Sequence, residues 1–201
     1  MQKRRLSILA AAIALAAATA GNAAAPGSAA PGFSITDATG KTVQLADYKG
    51  KFVVLEWTNP ECPFVRKHYS SGNMQTLQKE WGAKDVVWLA VNSTNTGSGE
   101  YKTGEQMTQW MRAQDAAPRA TLIDGTSAAG RAYGAKTTPH MFVIDPSGKV
   151  VYAGAIDDKR SANPADAKTA HNYVRAALTE ATAGKPVSVA STTPYGCSVK
   201  Y

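Results

Sequence analysis

The sequence is poor in the groups that most simple functional readings need. It has two cysteines, Cys62 and Cys197, and Val65 stands where a C-x-x-C pair would place its second thiol. Disulfide exchange within one turn of a helix is thereby excluded. No dense block of Lys and Arg interleaved with aromatics occurs, which argues against a nucleic-acid partner. The formal charge of +7 falls to +4 without Lys3, Arg4 and Arg5, a mild basicity that suits a soluble secreted protein. The one long apolar run, LSILAAAIALAAATA, is too short and alanine-rich to span a bilayer, and no cysteine follows it to carry a lipid. No internal repeat is visible.

What is present begins with an address. The basic start at Lys3, Arg4 and Arg5, the apolar run and the small residues after it predict a secretory signal peptide over residues 1–25. Cleavage after Ala20, or a few residues later before Pro26, leaves a protein secreted, in a bacterium, to the periplasm, with no stable membrane insertion. An uncleaved anchor is the alternative. About 175 residues then remain, enough for one domain with its own core. In a compartment that permits disulfides, two cysteines most simply make one structural bridge.

Residues 26–32, PGSAAPG, read as a flexible leader. FSITDATGKTVQL gives two short alternating runs around Asp37–Gly40, the mark of a hairpin. KFVVLEW and VVWLAVN are nearly continuous apolar strands, as expected of strands buried on both faces. Pro63 suits the first position of a helix carrying Phe64, Val65, His68 and Tyr69 on one face, interrupted at Ser70–Asn73 and resumed through Met74, Leu77 and Trp81. Thr103 and Gln106 form a capping-box pattern before Met107, Trp110 and Met111. RATLI predicts a strand, TSAAGRAY a short helix closed by Gly134, and HMFVIDPSGKVVYAG two strands around a turn. Asn163 and Pro164 are expected to cap a final helix through Ala170, Val174, Ala177 and Ala181. The domain thus runs over residues 33–184, and the tail, 185–201, is aperiodic. This order predicts an α/β fold: a mixed central sheet with helices on both faces and an N-terminal β-hairpin.

Cys62 falls where a strand gives way to a helix. The unpaired N–H groups and positive dipole end of a helix start stabilise a thiolate, and Arg66 one turn on can add to this. Such a cysteine is expected to be a nucleophile near neutral pH, although ordinary disulfides also occur at such junctions. Glu56 and Glu61 flank the corner; either can relay protons, but sheet-edge or surface carboxylates are the plainer reading.

Trp57, Cys62-Pro63 and the Thr138-Pro139 pair before the last strands together resemble the thioredoxin superfamily. The resemblance implies a thioredoxin-like fold in which Pro139 is cis and lies, with Thr138, beside Cys62, and in which Trp57, Thr138 and Pro139 shape a substrate groove. More narrowly, FSITDATGKTVQLADYKGKFVVLEW and VIDPSGKVVYAG, within roughly residues 31–184, resemble the redoxins of the alkyl hydroperoxide reductase and thiol-specific antioxidant group. In the peroxidases of that group a threonine precedes the reactive cysteine by three residues; Asn59 holds that place here. Secreted redoxins with the same CPFV corner have similar glycine-cysteine endings, and the likeness of TTPYGCSVKY to them implies Cys197 as the resolving partner. A permanent Cys62–Cys197 staple, worth up to about 4.7 kcal/mol, is the alternative.

The expectation is a thiol-disulfide oxidoreductase with no cofactor and no metal. Cys62 attacks, Cys197 resolves, and Pro63 and Arg66 stabilise the thiolate. Protein disulfides, small thiols or peroxides are the substrates, and an external thiol reductant recycles the pair. Two alternatives stay open: a two-cysteine peroxidase, and a non-enzymatic module that binds copper, through the cysteines and His140, or a partner protein.

Overall fold

A computed structural model describes residues 24–201. Most of the expected signal peptide therefore lies outside the described residues. Its last part does not: Ala24 is buried in the same core cluster as Ile35 and Val43.

Strands β1 (Ser34–Thr36) and β2 (Thr42–Gln44) form the expected antiparallel hairpin. The Asp37 carboxylate closes its turn, accepting from the Thr39 and Lys41 amides at 2.8 and 3.0 Å. β3 (Val53–Trp57) leads to α1 (Pro63–Ser70) and α2 (Asn73–Gly82), then β4 (Val87–Asn92), α3 (Gly104–Ala113), β5 (Ala120–Ile123) and α4 (Ala128–Tyr133). The short β6 (Thr137–Thr138) precedes β7 (His140–Ile144), β8 (Val150–Gly154), α5 (Tyr173–Thr182) and β9 (Cys197–Ser198). The main sheet has the order β5-β4-β3-β7-β8, with β3, β4 and β5 parallel and β7 antiparallel to both its neighbours, β3 and β8. β3, the middle strand, and its neighbour β4 are the two apolar runs seen in the sequence, and every residue of each is buried.

Period-two alternation divides the core. Val54, Trp88, Ala90, Met141 and Val143 face one side, under α1, α2, α3 and α5. Val53, Leu55, Trp57, Leu89 and Phe142 face the other, under α4 and the hairpin. The Thr103–Gln106 capping box is present, its two bonds at 3.3 and 2.9 Å.

Two expectations need correcting, and the aperiodic tail is held in place. The leader is not loose: Gly27 donates to Val150 O at 2.8 Å, Val150 to Ser28 O at 2.9 Å and Ala30 to Gly148 O at 2.8 Å. The tail is not free either, since Ala153 donates to Ala190 O and Thr192 to Ala153 O. The cause is common to both. β8 is an edge strand with unpaired N–H and C=O groups, and backbone pairing covers such an edge without any side-chain pattern. The last helix also starts later than expected, because Asn163 caps only a 3-10 turn, Pro164–Lys168, while Asn172 caps α5 by accepting from Arg175 N at 2.8 Å.

Asn172→Ala is accordingly expected to lower unfolding free energy by about 1 kcal/mol, and Asn163→Ala by less than half of that, in urea titrations. Equal losses would place the cap where the sequence pattern suggested.

Candidate active site

α1 starts where it does because Pro63 has no amide hydrogen to lose at the first helical position. Cys62 is the N-cap, with extended backbone, and its carbonyl accepts from Arg66 N at 3.0 Å. Asn59 shapes the approach: its carbonyl accepts from Cys62 N at 3.1 Å and its side-chain oxygen from Glu61 N at 2.8 Å. The Asn59 amide donates to Thr94 Oγ1 at 3.0 Å and to Glu100 at 3.2 Å.

The Cys62 thiol, 1% exposed, donates to Thr138 O at 2.9 Å. The Thr138–Pro139 bond is cis, as the resemblance implied. β9 pairs antiparallel with β6, setting Cys197 opposite Thr138. The two thiols, 135 positions apart in the chain, are thereby brought close together. Burial, then the neighbouring Cys62, pushes the Cys197 thiol up to about 12, so Cys197 keeps its proton at neutral pH. Cys62 is buried and Cys197 half-buried.

Gly196 makes this approach possible. With φ at +137°, a Cβ there would lie 2.1 Å from Thr138 O, so only glycine lets the tail meet β6 so closely.

Tyr195 anchors the same segment. Its hydroxyl donates to Asp157 Oδ1, and Lys67 Nζ donates to the tyrosine oxygen at 3.2 Å. Lys67 also reaches Asp157 Oδ2 at 3.3 Å and Lys159 O at 2.6 Å. The Asn73 amide donates to His68 Nδ1 at 3.0 Å, which leaves the proton on Nε2, 3.3 Å from the Tyr195 oxygen. Burial pushes His68 down to about 3, so it is neutral.

Not every expected site residue is at the thiols. Trp57 does not line a groove: it is buried, donates to Ser93 Oγ at 3.0 Å, and packs on Tyr133 and Phe142 with ring centres 5.2 Å apart. Strand parity puts it with Val53 and Leu55 in the core on the α4 side. Arg66 serves the loop instead of the thiol, donating to Pro60 O at 2.6 Å and pairing with Glu61 at 2.7 Å. Lys102 holds the same carboxylate at 2.7 Å, so Glu61 is a surface ion-pair partner. His140 Nδ1 accepts from Lys136 N at 3.2 Å and its ring packs on Phe142. Among the described residues no three His, Cys, Asp or Glu side chains converge as a metal site, so the Cys62, Cys197 and His140 set imagined for copper does not assemble.

Residues 26–153 match the AhpC/TSA family. The chain belongs to that family. Cys197 lies beyond the matched segment. Thiol-disulfide oxidoreductase ResA of Bacillus cereus is 31% identical over 123 residues, 61% of this chain and 65% of ResA. The curated relatives it resembles are matched over 35% to 65% of their own length. An uncharacterised conserved protein from Geobacillus kaustophilus is similar in structure, with TM-score 0.77 and 29% identity, over 88% of this chain and 92% of that one. The hypothetical protein SMc02350 of Sinorhizobium meliloti shares the fold, with TM-score 0.76 and 24% identity, over 90% and 96%. The fold of this AhpC/TSA member is thioredoxin-like. Among its described residues no helix is long and apolar enough to cross a membrane.

Sequence reasoning placed Glu56 at an edge or on the surface, and there the structure differs most. Glu56 is fully buried in β3, the middle strand of the sheet. Its carboxyl accepts from Tyr69 OH at 2.8 Å, Trp88 Nε1 at 2.8 Å and Gln78 at 3.2 Å. Burial raises it from 4.5 to about 7 against the opposing pull of those bonds.

A pH test follows from the sign of that shift. The native state holds this proton more tightly than the unfolded chain, so the stabilisation is full below about pH 4.5 and is lost as pH rises through 7, roughly 3 kcal/mol in all. His68 and His140, pushed down from 6.5 to about 3 and about 4, act oppositely and lose their contribution as pH falls below 6.5. The difference in stability between the natural protein and Glu56→Gln isolates the carboxyl. That difference is expected to shift by about 3 kcal/mol against the natural protein between pH 4.5 and 8 in urea titrations. A flat difference would refute the buried acid.

Proposed function

We propose that this protein is a thiol-disulfide oxidoreductase acting outside the cytoplasm, with Cys62 as the attacking thiol and Cys197 as the resolving one. The observation that carries the reading is the placement of both cysteines at the cis-proline turn, Cys62 donating to Thr138 O and Cys197 paired opposite Thr138. The printed activity of the ResA relatives supports it, and the leader-like first residues support export. The redoxin domain is residues 33–184, and the tail, 185–201, supplies the second thiol to it.

The chemistry is a two-step exchange. The Cys62 thiolate attacks one sulfur of a substrate disulfide, forming a mixed disulfide and releasing the first substrate thiolate. Cys197 then attacks Cys62 Sγ, closing the Cys62–Cys197 bond and releasing the second substrate thiol, which takes up the Cys197 proton. Two electrons pass to the substrate, and an external thiol reductant restores the pair. In the resting pair burial holds the proton on Cys197, which suits that thiol to the second step. Pro63 contributes by starting the helix at Cys62, and Thr138 and Pro139 by presenting the carbonyl that receives the thiol.

Mass-resolved alkylation across dithiol buffers is expected to give a midpoint for the pair between about −120 and −270 mV; a value below about −300 mV would mean a structural staple and overturn the reading. Cys62→Ser is expected to abolish insulin reduction and glutathione exchange, and Cys197→Ser to trap the mixed disulfide. The peroxidase reading is tested alongside. Asn59, whose amide is committed to Thr94 and Glu100, stands in the place of the peroxidatic threonine. Stopped-flow oxidation by hydrogen peroxide is therefore expected to be no faster than that of a free thiolate.

A further inference from the structure

β9 occupies the backbone edge of β6 beside the cis proline, directly over Cys62. The tail therefore sits where an incoming disulfide must approach, and it is held there by more than the short strand. On one side of Cys197, Tyr195 enters the Lys67–Asp157–His68 cluster, every member of which is buried. On the other, Asn95 N donates to Lys200 O at 2.7 Å and Tyr201 OH to Ala135 O at 2.5 Å.

The Tyr195 contacts are complete in the donor-acceptor sense. The hydroxyl gives one bond, to Asp157, and receives two, from Lys67 and His68. Lys67 spends its three donors on Asp157, Lys159 O and Tyr195. Asp157 Oδ1 also accepts from Lys159 N at 3.0 Å. Withdrawing Tyr195 leaves Lys67 and His68 each with an unused donor in a closed interior, and unpaired buried donors are costly. The Phe64 ring, two residues after Cys62, meets the Tyr195 ring edge-on at 5.8 Å, so the anchor is tied to the reactive corner itself.

We propose that Tyr195 is a positioning residue that latches the tail onto the β6 edge, holding Cys197 against Cys62 and closing the Cys62 thiol to bulky disulfides. The latched protein exchanges with low-molecular-weight disulfides, and an extended polypeptide gains the β6 edge only when the tail lifts. This rests on the reading of Cys62 and Cys197 as a redox pair. In the latched state the balance is simple. A small disulfide, RSSR, takes two electrons and two protons from the pair and leaves as two RSH, while one S–S bond breaks in RSSR and one forms between Cys62 and Cys197.

The test uses the full chain and two variants. Tyr195→Phe keeps the ring against Phe64 and removes only the hydroxyl. Gly196→Ala keeps the hydroxyl and drives β9 off Thr138 O by steric contact. Two quantities are measured: the Cys62 alkylation rate with a polymer-linked maleimide relative to iodoacetamide, mapped by peptide mass, and the effective concentration of the pair against oxidised and reduced glutathione. In Tyr195→Phe the alkylation ratio is expected to rise, and the effective concentration to fall, by about tenfold, the latter being roughly 30 mV for a two-electron couple. Gly196→Ala is expected to move both in the same sense, and it decides in place of Tyr195→Phe should near-ultraviolet dichroism show that variant to be misfolded. Values within about twofold of the natural protein would overturn the latch while leaving the redox pair intact. Failure of the natural protein to form the Cys62–Cys197 disulfide would instead overturn the redox reading, and the alkylation ratio alone would then decide the latch.

Discussion

A single carboxyl group in the middle of the sheet fixes where the reactive corner lies. Glu56 points from β3 to the face covered by α1 and α2, and its three bonds reach α1 through Tyr69, α2 through Gln78 and β4 through Trp88. α1 is the helix that begins at Cys62 and carries Lys67 and His68. Its rotation about its own axis therefore decides both the direction of the thiol and the place of the tail anchor. An apolar side chain at position 56 would fill the same space without choosing among rotations of α1, whereas an acid with three donors is satisfied by only one.

The second constraint is the edge of the sheet. β8 offers an unpaired backbone row, covered at one end by residues 27–30 and at the other by residues 190–192. The tail is thereby carried past β8 toward β6. Thr192 continues the path, its hydroxyl accepting from Ala155 N at 2.9 Å and lying 2.6 Å from Tyr152 OH. From Ala190 to Tyr201 the chain has tertiary contacts at nearly every other residue although it contains no helix. Cys197 arrives at Cys62 as the outcome of these steps, and Asn95, Ala135, Thr138 and Ala153 share the binding of a segment that lacks a core of its own.

How much of this the sequence discloses depends on how local the cause is. The Thr103–Gln106 box, the Pro63 helix start and the fully buried β3 and β4 are decided by neighbouring residues, and all are present. The cis Thr138–Pro139 turn was legible only through resemblance, because nothing in a Thr-Pro dipeptide distinguishes cis from trans. The Asn163 cap was misplaced because two Asn residues nine positions apart both offer an N-cap, and the choice rests on tertiary packing of Val174, Ala177 and Leu178. Trp57 was misjudged because a tryptophan near a reactive cysteine looks the same in sequence whether it faces outward or inward. Lys67 and Asp157 were invisible. A lysine on an amphipathic helix reads as solvated, and its partners lie 90 and 128 residues away.

The polar character of the Tyr195 anchor has its own logic. A buried Lys–Asp pair is a poor source of stability, since desolvation offsets most of the attraction, and apolar residues replacing Tyr195, Lys67, His68 and Asp157 together would hold the tail about as well. What such an anchor would not fix is register. A two-residue strand slides easily by one position, and a slip would turn Cys197 away from Cys62. Tyr195 satisfies Asp157, Lys67 and His68 together only when its hydroxyl sits at one point, and Gly196 tolerates contact with Thr138 O only at one position. Together these two residues admit a single register, the one that sets Cys197 opposite Thr138. The anchor is therefore understood best as a device for placing one sulfur atom, and its polarity follows from that task.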